Sequence, residues 1–449
     1  MRKIINNFIG LTIVIALGTV VLGGCGKKEE PVEMPSVEES VEEAPEESSE
    51  PEPVVIVEES EEEMVEVTPE PEPVEEIPEG MAKSILTGEY VPAEIGTRRP
   101  VAFMIDNVSG AFPHYGTSAA SVYYEAPVEA ELTRECAIFE NWDDQQRIGS
   151  LRSCRDYFIS YAAGFDSIYV HYGQAAYALP YLESDDVDNI SGLASYTDMV
   201  FYRANDISAP HNAYASADGI KRGIEHLGYS TELPADFKGS FNYAWVGQEV
   251  DLSFGASDIY YVTPGYETSH SYFVYNPDDC RYYRYQYGEP EVDGANGEQL
   301  SVTNIILEYQ NGCLYDTSVY QHFDTTSGGK GKYISKGKCV DITWTRESFY
   351  SPAKYYLADG SELVMNTGKT WVSVIKNKFL GNAKMGPSAE EAYCIEDEAT
   401  VAQAVEGNAA WEADFKANEA EYRAALDQVL AEELAAHGGQ TKVEEALYR

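Results

Sequence analysis

The chain has 449 residues, with 76 Asp and Glu against 31 Lys and Arg, for a net charge of -45. That balance excludes a general nucleic-acid binder, because phosphates are repelled by most of such a surface. Beyond position 25 the six cysteines (Cys136, Cys154, Cys280, Cys313, Cys339 and Cys394) contain no C-x-x-C pair, which argues against a zinc or dithiol centre.

Arg2 and Lys3 precede an apolar run from Phe8 to Leu22, which ends at Leu22-Gly23-Gly24-Cys25. The run is short for a permanent bilayer span and reads as a signal peptide over residues 1–24. Small residues before Cys25 suit a peptidase that grips extended backbone. The pattern resembles the bacterial lipobox, which implies a diacylglyceryl group on the Cys25 thiol and a mature N-terminus there. Two acyl chains supply stable anchoring. The expected location is therefore the outer face of the bacterial cytoplasmic membrane, with the membrane as a partner through diacylglyceryl-Cys25. Residues 25–80 read as a disordered tether. Between Gly26 and Gly80 stand 22 Glu and no Asp, against Lys27 and Lys28. Such a Pro-, Glu- and Ser-rich stretch cannot bury enough apolar surface to fold. Fully extended, it reaches at most roughly 180 Å. A spacer and a plain solvating tail are equally good readings of it.

Residues 81–237 predict an α/β domain. Strands are expected at Val101–Ile105, ending at Asp106-Asn107, then at Ser121–Tyr124, ending at Glu125, and at Glu135–Phe139. Ser153–Ala163 has helical character, Ser167–Val170 reads as a strand ending at His171, and Gly219–Leu227 carries a one-face helical stripe. Residues 238–386 change to short Tyr-, Thr- and Val-rich runs divided by turn signals such as Asp359-Gly360, which predicts a mainly antiparallel β domain. Gly328-Gly329-Lys330-Gly331 reads as a hairpin loop. Cys280, Cys313 and Cys339 lie in or beside strands, so one pair among them is a candidate bridge, with most thiols buried. Residues 387–449 form a helical C-terminal extension, interrupted at Gly407-Asn408, with Tyr422, Leu426, Val429 and Leu430 as a weak stripe that suits an exposed appendage.

One stretch of this acidic chain concentrates cations: Arg134, Arg147, Arg152, Arg155, Arg203, with His171, His211 and Asn212. Arg152 and Arg155 are three apart and share a face if helical, near a helix start with Ser150 or Ser153 as caps. A helix N-terminus with paired arginines suits a carboxylate or phosphate. Asp106, Glu125 and His171 fall at strand ends, where ligands bind in open α/β sheets. Arg134, Arg152, Ser153, Arg155, His171, Arg203, His211 and Asn212 are thus candidate anion-binding residues. Asp106, Glu125 and Glu129 are the candidate acidic partners, and a purely structural Arg/Glu network is an even alternative. Nothing in the sequence assigns a catalytic set: there is no G-x-S-x-G elbow, no H-E-x-x-H spacing, and only calcium-loop fragments at Asp278-Asp279 and at Asp185, Asp186 and Asp188. No metal or cofactor is expected.

Arg98-Arg99-Pro100, Met104-Ile105-Asp106-Asn107, Tyr124-Glu125, Glu129, Thr133-Arg134, Gly149, Arg152-Ser153, Arg155, His171-Tyr172-Gly173 and Pro210-His211-Asn212 together resemble the YerB-type lipoproteins. Asn304-Ile305-Ile306, Gly337-Lys338, Trp344 and Gly368-Lys369-Thr370-Trp371-Val372 match the second domain more loosely. The resemblance spans roughly Arg98 to Lys376. It implies a domain of unknown function followed by a β-rich domain, and carries no settled activity. The chain departs from the pattern at Ser150, where the family usually has proline, at Cys154, where alanine is common, and in its helical extension. The reading is a lipid-anchored extracytoplasmic binding or accessory protein that recognises an anionic envelope ligand or an envelope protein. The alternatives are an enzyme, a hydrolase or transferase acting on an anionic envelope polymer with His171 or His211 as acid–base, and a structural lipoprotein. Oligomeric state is not readable.

Overall fold

The computed structural model describes residues 75–315 and 319–436. Cys25, the signal peptide and most of the tether lie outside the described residues, as do the side chains of Tyr422, Leu426, Val429 and Leu430. Among the described residues no helix is long and apolar enough to cross a membrane.

The first domain supplies β1 (Val101–Asn107), β2 (Val122–Pro127), β3 (Thr133–Phe139), β4 (Ile168–His171) and β5 (Asn189–Ser191), with helices α1 (Asp156–Ala163) and α2 (Ala217–Leu227). β1, β2 and β3 are buried along their whole length. That explains their near-continuous apolar sequence, since both faces of this sheet are covered. Val101, Phe103 and Ile105 pack on one side, and Ala102 and Met104 on the other. The Ser216 hydroxyl caps α2 by accepting from the Gly219 amide at 3.2 Å, and Gly228 ends the helix in the left-handed region.

The second domain supplies β6 (Tyr261–Thr263), β7 (Tyr272–Asn276), β8 (Arg281–Gln286), β9 (Asn304–Gln310), β10 (Gly329–Ser335), β11 (Lys338–Arg346), β12 (Ala353–Tyr356) and β13 (Thr370–Lys376). Strands β6, β7 and β8 form the body of an antiparallel sheet of seven strands. The other five join the first domain in one ten-stranded sheet, in the order β12-β11-β10-β9-β13-β2-β3-β1-β4-β5. The seam is parallel, with Thr370 opposite Val122 and Ser373 opposite Glu125. A second fastening lies at Asp293, whose carboxylate accepts from the amides of Gly116 at 2.9 Å and Ser118 at 2.8 Å. The architecture is thus an α/β domain followed by a mainly antiparallel β domain, as the sequence implies.

Several local expectations are corrected. The glycine-rich segment is not a loop, because Gly329 and Gly331 begin β10. A Cβ on Gly331 would lie 2.4 Å from the Leu307 carbonyl oxygen, so glycine here allows close backbone approach rather than a turn. All six described cysteines are free thiols, four of them buried. The C-terminal helix α3 (Glu398–Ala436) runs unbroken through Gly407-Asn408. Asn408 is buried and holds both backbone groups of Gly312, accepting from its amide at 2.8 Å and donating to its carbonyl at 3.2 Å. Trp411 and Phe415 stack on His322, so this part of the helix is docked rather than an appendage.

Candidate functional site

Asp106 sits near the end of β1, with Arg134 directly opposite it on β3. Strand periodicity puts both on the same face of the sheet. The Asp106 carboxylate accepts from His211 Nδ1 at 2.6 Å and pairs with Arg152 Nε at 3.1 Å. The carboxylate is buried, whereas the Arg152 and His211 side chains keep 28% and 24% of their surface. Backbone contacts position Arg152: its amide donates to Met104 and its carbonyl accepts from Tyr172. An aspartate that fixes one imidazole nitrogen leaves the other to bind or exchange a proton, with a guanidinium alongside to hold negative charge.

Beside this group lies a more enclosed one. Arg155 grips Glu129 through two bonds, Nε to Oε1 at 2.5 Å and Nη2 to Oε2 at 2.6 Å. Burial tends to raise the Glu129 carboxyl, but the charge and bonds of Arg155 prevail and hold it below its ordinary range. Arg134 donates to the Ser153 carbonyl and lies 3.7 Å from Glu129. Burial, together with the like charge of Arg155, pulls the Arg134 guanidinium down to about 10.

The paired-arginine helix start is corrected. Helix α1 begins at Asp156, and Arg155 is its extended N-cap residue with no side-chain cap bond. Arg152 lies in the strand-like approach to it, so neither Ser150 nor Ser153 caps the helix, and Ser153 contributes its carbonyl. His171 is also corrected as a member of the cluster. It is fully buried, and its ring bonds the Gly173 carbonyl at 2.8 Å and Asn189 at 3.2 Å. Burial lowers its pKa, which favours the neutral ring. Arg203 is exposed, donates to Asn212 Oδ1 at 2.7 Å and covers the Tyr172 ring. The calcium-like aspartates are partnered otherwise: Arg99 bonds Asp188 at 2.5 Å and pairs with Asp166 at 3.2 Å, and Asp185 and Asp186 join them around an open hollow of about 370 Å³.

Glu125 is not a partner of this arginine group. It lies opposite Glu135, which lies opposite Ile105, so both glutamates project from the other face of the sheet. There a second, fully buried polar centre forms that sequence reasoning missed. Arg284 on β8 donates to Glu125 at 2.6 Å and pairs with Glu291 at 3.4 Å. Glu125 also accepts from Thr133 at 2.9 Å and from Asn107 at 3.3 Å. His114 Nδ1 is 3.0 Å from Glu291 Oε1 and 3.8 Å from Glu135 Oε2. His114 Nε2 donates to the Asp106 carbonyl at 2.7 Å, because a carbonyl can only accept. Burial lowers the His114 pKa, yet the Glu291 bond and the Glu135 charge outweigh it and hold the ring up at about 9. Burial and then the charge of Glu291 push Glu135 well above the carboxylate range. The legible signal was Glu135 at core spacing with Ala137 and Phe139. Its partner Glu291, 156 positions away, gave none.

Two family models match the chain, the N-terminal domain of a protein of unknown function (DUF3048) over residues 86–230 and its C-terminal domain over residues 261–372. "Putative lipoprotein YerB" of Bacillus subtilis (strain 168) is 31% identical over 298 residues, covering 65% of this chain and 86% of that protein. The crystal structure of the YerB protein from Bacillus subtilis aligns with a TM-score of 0.58 at 28% identity, covering 70% of this chain and 99% of that one.

Proposed function

From the premise that this chain belongs to the YerB family of lipoproteins, with paired DUF3048 domains, we propose that it is a lipid-anchored extracytoplasmic binding or accessory protein. Its first domain engages an anionic component of the cell envelope through Arg152 and His211, with Arg134 and Arg155 behind them. Cys25 carries the lipid.

The observation that supports this reading is the convergence of Arg152 and His211 on buried Asp106 while both remain partly open to water. Three guanidinium groups, those of Arg134, Arg152 and Arg155, face two carboxylates, those of Asp106 and Glu129. A surplus positive charge at such an edge suits a phosphate or carboxylate.

Titration of the full chain in detergent with a glycerol-phosphate polymer tests it. The Arg152→Ala, His211→Ala double variant is expected to bind at least tenfold more weakly with an unchanged melting transition. The bidentate Arg155–Glu129 pair favours a second reading, a structural ion network. On that reading the double variant loses stability and the unaltered chain binds no polymer.

A further inference from the structure

We infer that His114, Glu135 and Glu291 form a binding site for one divalent first-row metal ion, with Zn²⁺ as the reference occupant. The three side chains offer one imidazole nitrogen and two carboxylates, and their ligand atoms all lie within 4.8 Å of one another. At metal–ligand distances of about 2.1 Å, neighbouring ligands around a tetrahedral ion stand about 3.4 Å apart. The His114–Glu291 and His114–Glu135 separations of 3.0 and 3.8 Å bracket that value.

Orientation supports the same assignment. The Asp106 carbonyl accepts a hydrogen bond from Nε2–H of His114, which turns Nδ1 towards the two carboxylates. An outer hydrogen bond of this kind is how proteins fix a metal-ligating imidazole. Independently, neither carboxylate oxygen of Glu135 has a hydrogen-bond donor, although the side chain is fully buried and directed at His114. Buried carboxylates are ordinarily satisfied by donors or by a cation. The ligands come from both domains, so the ion would tie residues 114 and 135 to residue 291. It would also brace the backbone of Asp106, behind the surface group described above.

The test uses the full lipid-anchored chain in detergent, stripped with a chelator and dialysed against Zn²⁺ alone or Co²⁺ alone. The expected result is about one equivalent of metal retained, a higher melting temperature, and a zinc X-ray absorption shell of one imidazole nitrogen plus carboxylate oxygens. Glu135→Gln and His114→Gln are expected to lose at least tenfold in affinity. An all-oxygen shell, uptake far below one equivalent, or equal uptake by folded Glu135→Gln overturns the assignment and marks the metal as adventitious on the acidic surface. The unaltered chain decides the matter even if a variant fails to fold.

Discussion

Replacing Arg284 with methionine is the sharpest perturbation of the polar centre between the domains. Methionine keeps an unbranched apolar stem but removes the guanidinium, whose Cζ lies 4.4 Å from the centre of the Trp371 ring and 5.0 Å from that of Phe273. What disappears is the bond to Glu125 at 2.6 Å and the pairing with Glu291 at 3.4 Å, both at fully buried atoms. Breaking a buried pair from one side leaves an uncompensated carboxylate and costs about 3–5 kcal/mol. That is roughly two to four powers of ten in the folded-to-unfolded ratio, against a total stability of about 5–15 kcal/mol for a typical domain. Guanidinium chloride unfolding, followed through tryptophan fluorescence, measures the loss. Adding Glu125→Gln to Arg284→Met removes the stranded charge and should recover about half of it or more, a coupling of more than about 1 kcal/mol in a double-mutant cycle. A single-variant loss below about 1 kcal/mol, or strict additivity in the cycle, refutes the reasoning.

Three further outcomes follow from the same geometry. Glu129 is held below its ordinary 4.5, so its contribution to stability is present above pH 4.5 and is lost as pH falls through the lowered value; Glu129→Gln should flatten that acid limb in melting curves, and a profile parallel to the parent contradicts the pairing. Asn408→Ala strands two backbone groups of Gly312 and should cost about 1–3 kcal/mol, with faster amide exchange at Gly312–Leu314, which pairs with Gln321–Phe323, than in the ten-stranded sheet; unchanged exchange there would show that the helix docks by other contacts. Gly331→Ala drives a methyl against the Leu307 carbonyl and should cost about 1–3 kcal/mol in thermal unfolding, whereas an unaltered melting temperature means that the β9–β10 pair can shift apart.

The strands were legible because burial on both faces writes itself as an apolar run, as at Val101–Ile105. Helix α2 was legible because Ile220, Ile224 and Leu227 recur at the period of a one-face stripe. Arg152 and Arg155 were misread as helical because their spacing suits a helix, while the bond from the Arg152 amide to Met104 holds that stretch extended. Glycine was ambiguous at Gly329 and Gly331, since a turn and a close strand approach both demand it. Asn408 looked like a helix breaker on propensity alone, and its tertiary bonds to Gly312 override that preference. At the candidate site, Asp106 and His211 could be proposed from a strand end and a loop. The separation of Glu125 from the arginines follows from pairing register, which a one-residue shift would have reversed. His114, Arg284 and Glu291 meet only through tertiary structure.

The parallel seam has a consequence for how such a chain acquires its structure. Strand β2 has only half of its neighbours until β13 arrives, about 250 residues later in the sequence. A polypeptide that emerges from the ribosome amino-terminus first must therefore keep a β-prone segment unpaired for most of its synthesis. Long-range strand pairing of this kind slows folding and prolongs exposure to aggregation. Completion of the first domain is thus tied to delivery of nearly the whole chain, and a truncated product ending before residue 370 would lack the strand that closes it.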